Sequence, residues 1–299
     1  MKVLASVLLS AVAVLSVFTQ QTEEDRNANR PVKPFRIIGN VYYVGASEVT
    51  SFLITTPKGH LLIDSGFAET VPQIRENLIT LGFKLDDVKV LLNTQAHYDH
   101  AGGLAELKRL TKAKLIASVR DANALAKGGR DDFTWGDRFA YEPVTVDKVV
   151  TTNSQLKFGG ITLTAILTPG HTKGCTMWVL DVKEKGRRYR VAFVGSTSSP
   201  GYKLLENEKY PTIVADYEMT FSLMKMITPD IFLASHGSFF NLLEKAEAIR
   251  NNPSRNPFLD REGYKAFVRD SHKAFREKLA AEKKAKASMP KPRPRTAPL

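Results

Sequence analysis

The sequence predicts an α+β fold of mixed β-sheets with helices on their outer faces. Three observations carry this. Short strands rich in β-branched and aromatic residues come first, strand–helix units follow, and the second half of the chain repeats that grammar more loosely. The 299 residues are 43% hydrophobic, spread along most of the length, which is material for a large core.

In chain order, Phe35 to Val44 and Ser51 to Thr56 are broken by Gly39, Asn40 and Gly45, which predicts a meander. His60 to Asp64 is a further short strand ending at Ser65-Gly66, after which Val71, Ile74 and Leu78 share one face of an amphipathic helix. Val88 to Leu92 reads as a buried strand running into Gln95-Ala96-His97-Tyr98-Asp99-His100. Beyond Gly102-Gly103, Leu104 to Leu110 has helical spacing. In the second half, Ile161 to Leu167 is a strand ending at Pro169-Gly170-His171. Met177 to Asp181 and Arg190 to Val194 are strands, Asp216 to Ile227 a helix, and Ile231 to Ala234 a strand ending at Ser235-His236. Tyr264, Phe267, Val268, Phe275 and Leu279 form an apolar stripe on a last helix.

The two ends differ in composition from the body. Residues 1–19 read as a signal peptide: Lys2 supplies the positive start, and Val3 to Phe18 is an uncharged run too short for a comfortable membrane span. Export implies a periplasmic or secreted protein with no stable membrane insertion after cleavage. Residues 20–31 form an N-terminal extension, 32–283 the folded domain, and 284–299 a basic, Pro-rich tail expected to be disordered. The net charge is +12, but nine Lys or Arg against two Glu fall between Lys273 and Leu299, so the body is only mildly basic. A nucleic-acid partner calls for aromatics among the basic residues, and none follows Phe275, so none is expected. Cys175 is the single cysteine and forms no internal disulfide, and an exported chain with a lone thiol favours a monomer.

Of six histidines, four (His97, His100, His171 and His236) follow the ends of predicted strands, and Asp99 stands among them. Loops at one edge of a sheet can converge on a cleft while the scaffold holds them. Imidazole is the commonest zinc ligand and a carboxylate its usual complement, so the pattern points to a metal site. His60 and His272 lack such neighbours and read as ordinary surface or core residues.

The run Gln95-x-His97-x-Asp99-His100, followed by Thr168-Pro169-Gly170-His171-Thr172-Lys173-Gly174-Cys175, resembles the metallo-β-lactamase superfamily, and more narrowly its subclass B3. The likeness runs from about Val32 to about Lys278, with supporting stretches at Asp131-Asp132, Gly136-Asp137, Tyr141-x-Pro143 and Ser196 to Tyr202. It implies a four-layer αβ/βα sandwich and two zinc sites: Gln95, His97 and His171 at the first, Asp99, His100 and His236 at the second. Gln95 stands where most of the superfamily has His. An amide oxygen is a weaker zinc donor than imidazole, so the first site is expected to bind less tightly. Many relatives bridge the metals with an Asp after the strand that here ends at Gly195; this chain has Ser196. That departure favours β-lactamases over glyoxalase-, lactonase- or nuclease-like members.

The resemblance therefore implies a zinc-dependent β-lactamase, in which a hydroxide on the metal attacks the strained amide of a penicillin, cephalosporin or carbapenem. Asp99 would orient the nucleophile, Ser196 and Ser198 would hold the antibiotic's carboxylate, and Asp64 would be a buried carboxylate steadying the ligands. Gly102, Gly103 and Gly170 would allow the tight backbone around the ligands. Trp135 and Tyr202 fall in loops flanking the cleft, where a substrate wall and a core-covering role are equally open; Cys175 reads as a buried structural residue. Another hydrolase of the fold, such as a lactonase, is the alternative, and a non-catalytic binding protein using the basic tail is the reading from a different class.

Overall fold

The computed structural model describes residues 22–288; the signal-peptide segment 1–19 and tail residues 289–299 lie outside the described residues. Among the described residues a short helix, α1 (Glu23–Ala28), comes first, its N-terminus held by a capping box between Thr22 and Asp25. The first sheet then takes up β1 (Phe35–Ile38), β2 (Val41–Tyr43), β3 (Phe52–Thr56), β4 (Gly59–Ile63), β5 (Val88–Leu92), β6 (Lys114–Ser118) and β7 (Lys148–Val150), side by side in that order. The meander β1 to β4 is antiparallel, and β4 to β7 are parallel. Parallel neighbours need crossovers. Helix α2 (Val71–Thr80) joins β4 to β5, α3 (Tyr98–Ala101) and α4 (Leu104–Thr111) join β5 to β6, and α5 (Ala122–Ala126) lies between β6 and β7.

The second sheet holds β8 (Gln155–Phe158), β9 (Ile161–Leu167), β10 (Thr176–Glu184), β11 (Arg187–Val194) and β12 (Ile231–Ala234), ordered 12-11-10-9-8. Its one parallel pair among the described residues, β11 and β12, is bridged by α6 (Ile213–Met226); α7 (Leu242–Asn251) and α8 (Arg261–Ser288) follow.

Burial follows the strand period. In β9, Leu163, Ala165 and Leu167 point inward while Thr162, Thr164 and Ile166 do not. The inward faces of both sheets meet in one core containing Phe52, Ile54, Leu61, Leu163, Trp178 and Phe193. The opposite face of the first sheet, with Leu53, Leu62, Leu91 and Leu115, is covered by Ile74 and Leu78 of α2 and Leu104 and Leu107 of α4. A third cluster packs α6 against α8 through Tyr217, Phe221 and Phe275. This is the predicted pair of mixed sheets with helices outside.

Two segments bear on the expected boundaries. Residues 22–31 of the extension, its described part, are docked on the domain: the Ser47 hydroxyl donates to the Asn27 carbonyl (2.9 Å) and Tyr98 donates to Asp25 (2.7 Å). The tail boundary at 284 falls inside α8, which runs to Ser288. The Glu282 carboxylate accepts the backbone N–H groups of Leu204 and Leu205 (both 2.9 Å), Lys286 pairs with Glu206, and the Ala/Lys/Glu composition there favours helix. Among the described residues, no helix is long and apolar enough to cross a membrane.

Candidate metal centre

The ligand-type residues stand on loops just past the ends of β5, β9 and β12. Beyond Leu92, the chain passes Gln95 and His97 and turns into α3, whose first residues include Asp99 and His100. His171 sits in the loop from β9 to β10, and His236 follows Ala234 at the end of β12. Gly170 lets His171 be placed: its φ is +139°, and a Cβ there would meet the Tyr217 ring at 2.7 Å.

The geometry groups the imidazoles in two facing pairs. His97 Nδ1 lies 3.0 Å from His171 Nε2, and His100 Nε2 lies 3.2 Å from His236 Nε2. Asp99 Oδ2 is 3.1 Å from His100 Nε2 and 3.7 Å from His236 Nε2, so these three residues offer ligand atoms within 4.8 Å of one another. His171 Nδ1 faces the Ser198 carbonyl at 2.8 Å. That carbonyl can only accept, so the ring proton sits on Nδ1 and the lone pair of Nε2 is aimed at His97.

The electrostatics favour a cation. Burial, with His97 beside it, drives His171 well below its ordinary value, and burial plus His100 lowers His236 to about 4, so both rings keep their lone pairs. Burial pushes Asp99 up, but the adjacent His100 outweighs it and holds the carboxylate ionised. Burial alone would lower His100, yet Asp99 and Asp64 pull it up. The Gln95 side chain is wholly buried, and neither of its polar atoms has a hydrogen-bond partner; His97 Nε2, the ring nitrogen not facing His171, lies 3.7 Å from Asp132 Oδ2. Buried polar groups are rarely left unpartnered unless an ion or water completes them. Nitrogen and carboxylate donors with orphaned buried atoms fit zinc.

Three buried groups behind the ligands hold the loops. Asp64, at φ +58°, accepts from Asn93 Nδ2 (3.0 Å), the Thr94 N–H (2.8 Å) and the Thr94 hydroxyl (2.6 Å), which fixes the turn leading to Gln95. Burial raises its pKa to about 6 despite these bonds and the nearby His100. Asp121, just past β6, accepts the Ala96 N–H (3.1 Å), the Thr172 hydroxyl (2.7 Å) and the Gly174 N–H (2.7 Å). The Tyr202 hydroxyl donates to the His171 carbonyl at 2.8 Å.

The imidazoles open on a cleft of about 710 Å³ lined by His97, Asp99, His171, His236, Trp135, Phe139 and Ser198, with Asp25 and Asn27 of α1 at its rim. Of the residues expected on the substrate side, Ser198 reaches the wall. Ser196 is 1% exposed and lies behind it, its hydroxyl 2.9 Å from that of Ser198; Tyr202 is 2% exposed and packs its ring along His171. Trp135 does line the cleft, its ring centroid 5.1 Å from that of His97. Cys175 is fully buried, its thiol pushed up to about 12 by burial. His60 packs edge-on against Phe83, and His272 is buried on α8.

Sequence reasoning missed Asp121 and the rim helix. Asp121 carried the same signal as Asp64, a carboxylate just past a buried strand. Helix α1 carried the spacing of its capping box.

Comparison with known proteins places the fold in a family. The family model described as the metallo-beta-lactamase superfamily matches residues 44–236. A metallo-β-lactamase structure from Cronobacter sakazakii is 40% identical with a TM-score of 0.83, covering 87% of this chain and 99% of that one. The native FEZ-1 metallo-β-lactamase of Legionella gormanii is 39% identical with a TM-score of 0.83, covering 85% and 98%. An N-acyl homoserine lactonase, AttM of Azorhizobium caulinodans, is 29% identical over 169 residues, which span 46% of this chain and 61% of the lactonase. A subclass B3 enzyme of Bradyrhizobium japonicum is also among the structural neighbours. The chain belongs to the metallo-β-lactamase superfamily and its structural neighbours include subclass B3 enzymes.

Proposed function

We propose that this chain is a zinc-dependent β-lactamase, opening the cyclic amide of β-lactam antibiotics. The observation that carries the reading is the pair of facing imidazole couples, with ionised Asp99 between His100 and His236, at the floor of an aromatic-walled cleft. Likeness to solved β-lactamases over nearly their whole length supports it, against likeness to a lactonase over three fifths of that protein.

Gln95, His97 and His171 would hold one zinc, and Asp99, His100 and His236 a second. Zinc supplies Lewis acidity, lowering the pKa of water from 15.7 to about 7 and polarising a carbonyl. The chain's own residues do the rest. Asp99, kept ionised, orients a water in the cleft by accepting its hydrogen bond at a carboxylate oxygen. The Ser198 hydroxyl donates to the carboxylate of the substrate. Trp135 and Phe139 cover the apolar scaffold and keep bulk water from the reacting amide. Ser196 steadies Ser198, and Tyr202 steadies His171. The protein acts as an exported monomer, and sequencing the N-terminus of periplasmic material would check cleavage near residue 19.

The test compares kcat/KM for a penicillin, a cephalosporin and a carbapenem with that for an N-acyl homoserine lactone. The β-lactams should win by about 100-fold or more, beyond what pocket fit to one apolar group provides. A preference for the lactone would move the chain to the lactonase reading.

A further inference from the structure

β12 connects two depressions. His236 and the metal centre lie past its end; before its start, between α6 and α8, lies a separate cavity of about 500 Å³. That size suits a small organic ligand, whose pockets run to roughly 300–1,000 Å³. Its floor is apolar and buried, made by Met224, Pro229, Tyr264 and Val268. Its rim is cationic. Lys225, Arg261, Lys265 and Arg269 line it, all exposed, and no Asp or Glu does.

Three of those cations already have carboxylate partners, none of which lines the cavity: Arg261 pairs with Asp230, Lys265 with Glu262 and Arg269 with Asp270. Lys225 has none among the described residues. Its Nζ instead lies 2.9 Å from Nδ1 of His272, a buried residue at the cavity wall. An ammonium can only donate, so Nδ1 accepts and the ring proton sits on Nε2, 3.1 Å from Glu218 Oε2. Glu218 is itself within 3.4 Å of Arg276. A lysine stem left in water samples many rotamers. Here a chain of three side chains fixes one cation beside an apolar floor without pairing it directly to a carboxylate. His272 also belongs to the buried face of α8, filling the step between Val268 and Phe275. The same spacing could have been filled by a leucine at no polar cost.

We propose that this cavity is a second binding site, for an organic carboxylate with an aliphatic chain. The chain lies on Met224, Tyr264 and Val268, and the carboxylate meets Lys225. Its recognition chemistry requires both halves: the floor has no use for a small anion, and the held cation none for a neutral alkyl group. The site is independent of the metal centre.

The test titrates sodium octanoate into the full zinc-loaded chain by calorimetry, with 1-octanol and acetate as chain-only and charge-only controls. One saturable site per chain is expected, about tenfold or more tighter for octanoate than for either control. Lys225→Met should weaken octanoate by about tenfold, with near-UV circular dichroism unchanged. Lys265→Glu, at an exposed rim position that leaves the fold alone, should weaken it as well. Equal affinity for octanoate and octanol overturns the proposal. So does affinity unchanged in both variants, or binding that survives Lys225→Met and vanishes with a chelator, which would place the carboxylate on the metal centre.

Discussion

The carboxylate of Asp121 accepts the hydroxyl of Thr172 at 2.7 Å, one residue beyond His171. The same oxygen takes the N–H of Ala96, one residue before His97, and the other oxygen takes the N–H of Gly174. One buried side chain thus ties together the loops that bring His97 and His171 within 3.0 Å.

Asp121→Ala should lower zinc affinity by about 10–100-fold, the usual effect of removing a group that orients metal ligands. Chelator competition reads this, with far-UV circular dichroism as the control for folding. Affinity equal to wild type would show that the loops hold their positions without Asp121.

Gln95 is wholly buried with both polar atoms unpartnered. Gln95→His should raise the zinc content per chain under limiting metal, because imidazole outbinds a neutral amide oxygen. Elemental analysis of protein dialysed against sub-stoichiometric zinc checks this, and unchanged stoichiometry would take Gln95 out of the first site.

Ser198 reaches the cleft and Tyr202 does not, so their loss should separate in kinetics. Ser198→Ala should raise KM by about tenfold, as expected when a hydrogen bond to a charged group is removed, with kcat largely kept. Tyr202→Phe should leave KM alone and cost about 1 kcal/mol of stability through the bond to the His171 carbonyl. A raised KM in the Tyr202 variant would restore it to the substrate wall.

Asp64 gives a pH signature in the zinc-stripped chain. Burial raises its pKa from 3.8 to about 6, so its protonated form is favoured by folding. Its contribution is full below the ordinary carboxylate value and is lost as pH rises through about 6, a swing of at most about 3 kcal/mol. Measured against Asp64→Asn, wild type should lose relative stability between pH 4 and pH 7. A difference flat across that range would mean that Asp64 does not titrate there.

Much of this was legible in the residues. Strand ends at Leu92, Leu167 and Ala234 follow from apolar runs, and the histidines after them from position alone. Helix α6 begins at Ile213, three residues before the Asp216 start that its spacing suggested. Short exposed strands such as β7, with Lys148 and Val149 outward, carry no pattern a single sequence reveals. Depth behind a wall is also invisible in one dimension. Ser196 and Ser198 are two residues apart and both polar, yet the backbone turn exposes one and buries the other. Asp121 is far in sequence from both loops it joins, and only the fold brings them together.

Zinc content and hydrolysis measured on the same preparation test the central claim most directly. The chain as purified should carry one to two zinc ions, as expected for a carboxylate–imidazole site. It should also open a β-lactam ring, lose that activity in step with zinc removed by chelation, and regain it when zinc returns. Hydrolysis that persists in fully stripped protein, or zinc-loaded protein that opens no β-lactam, would contradict it.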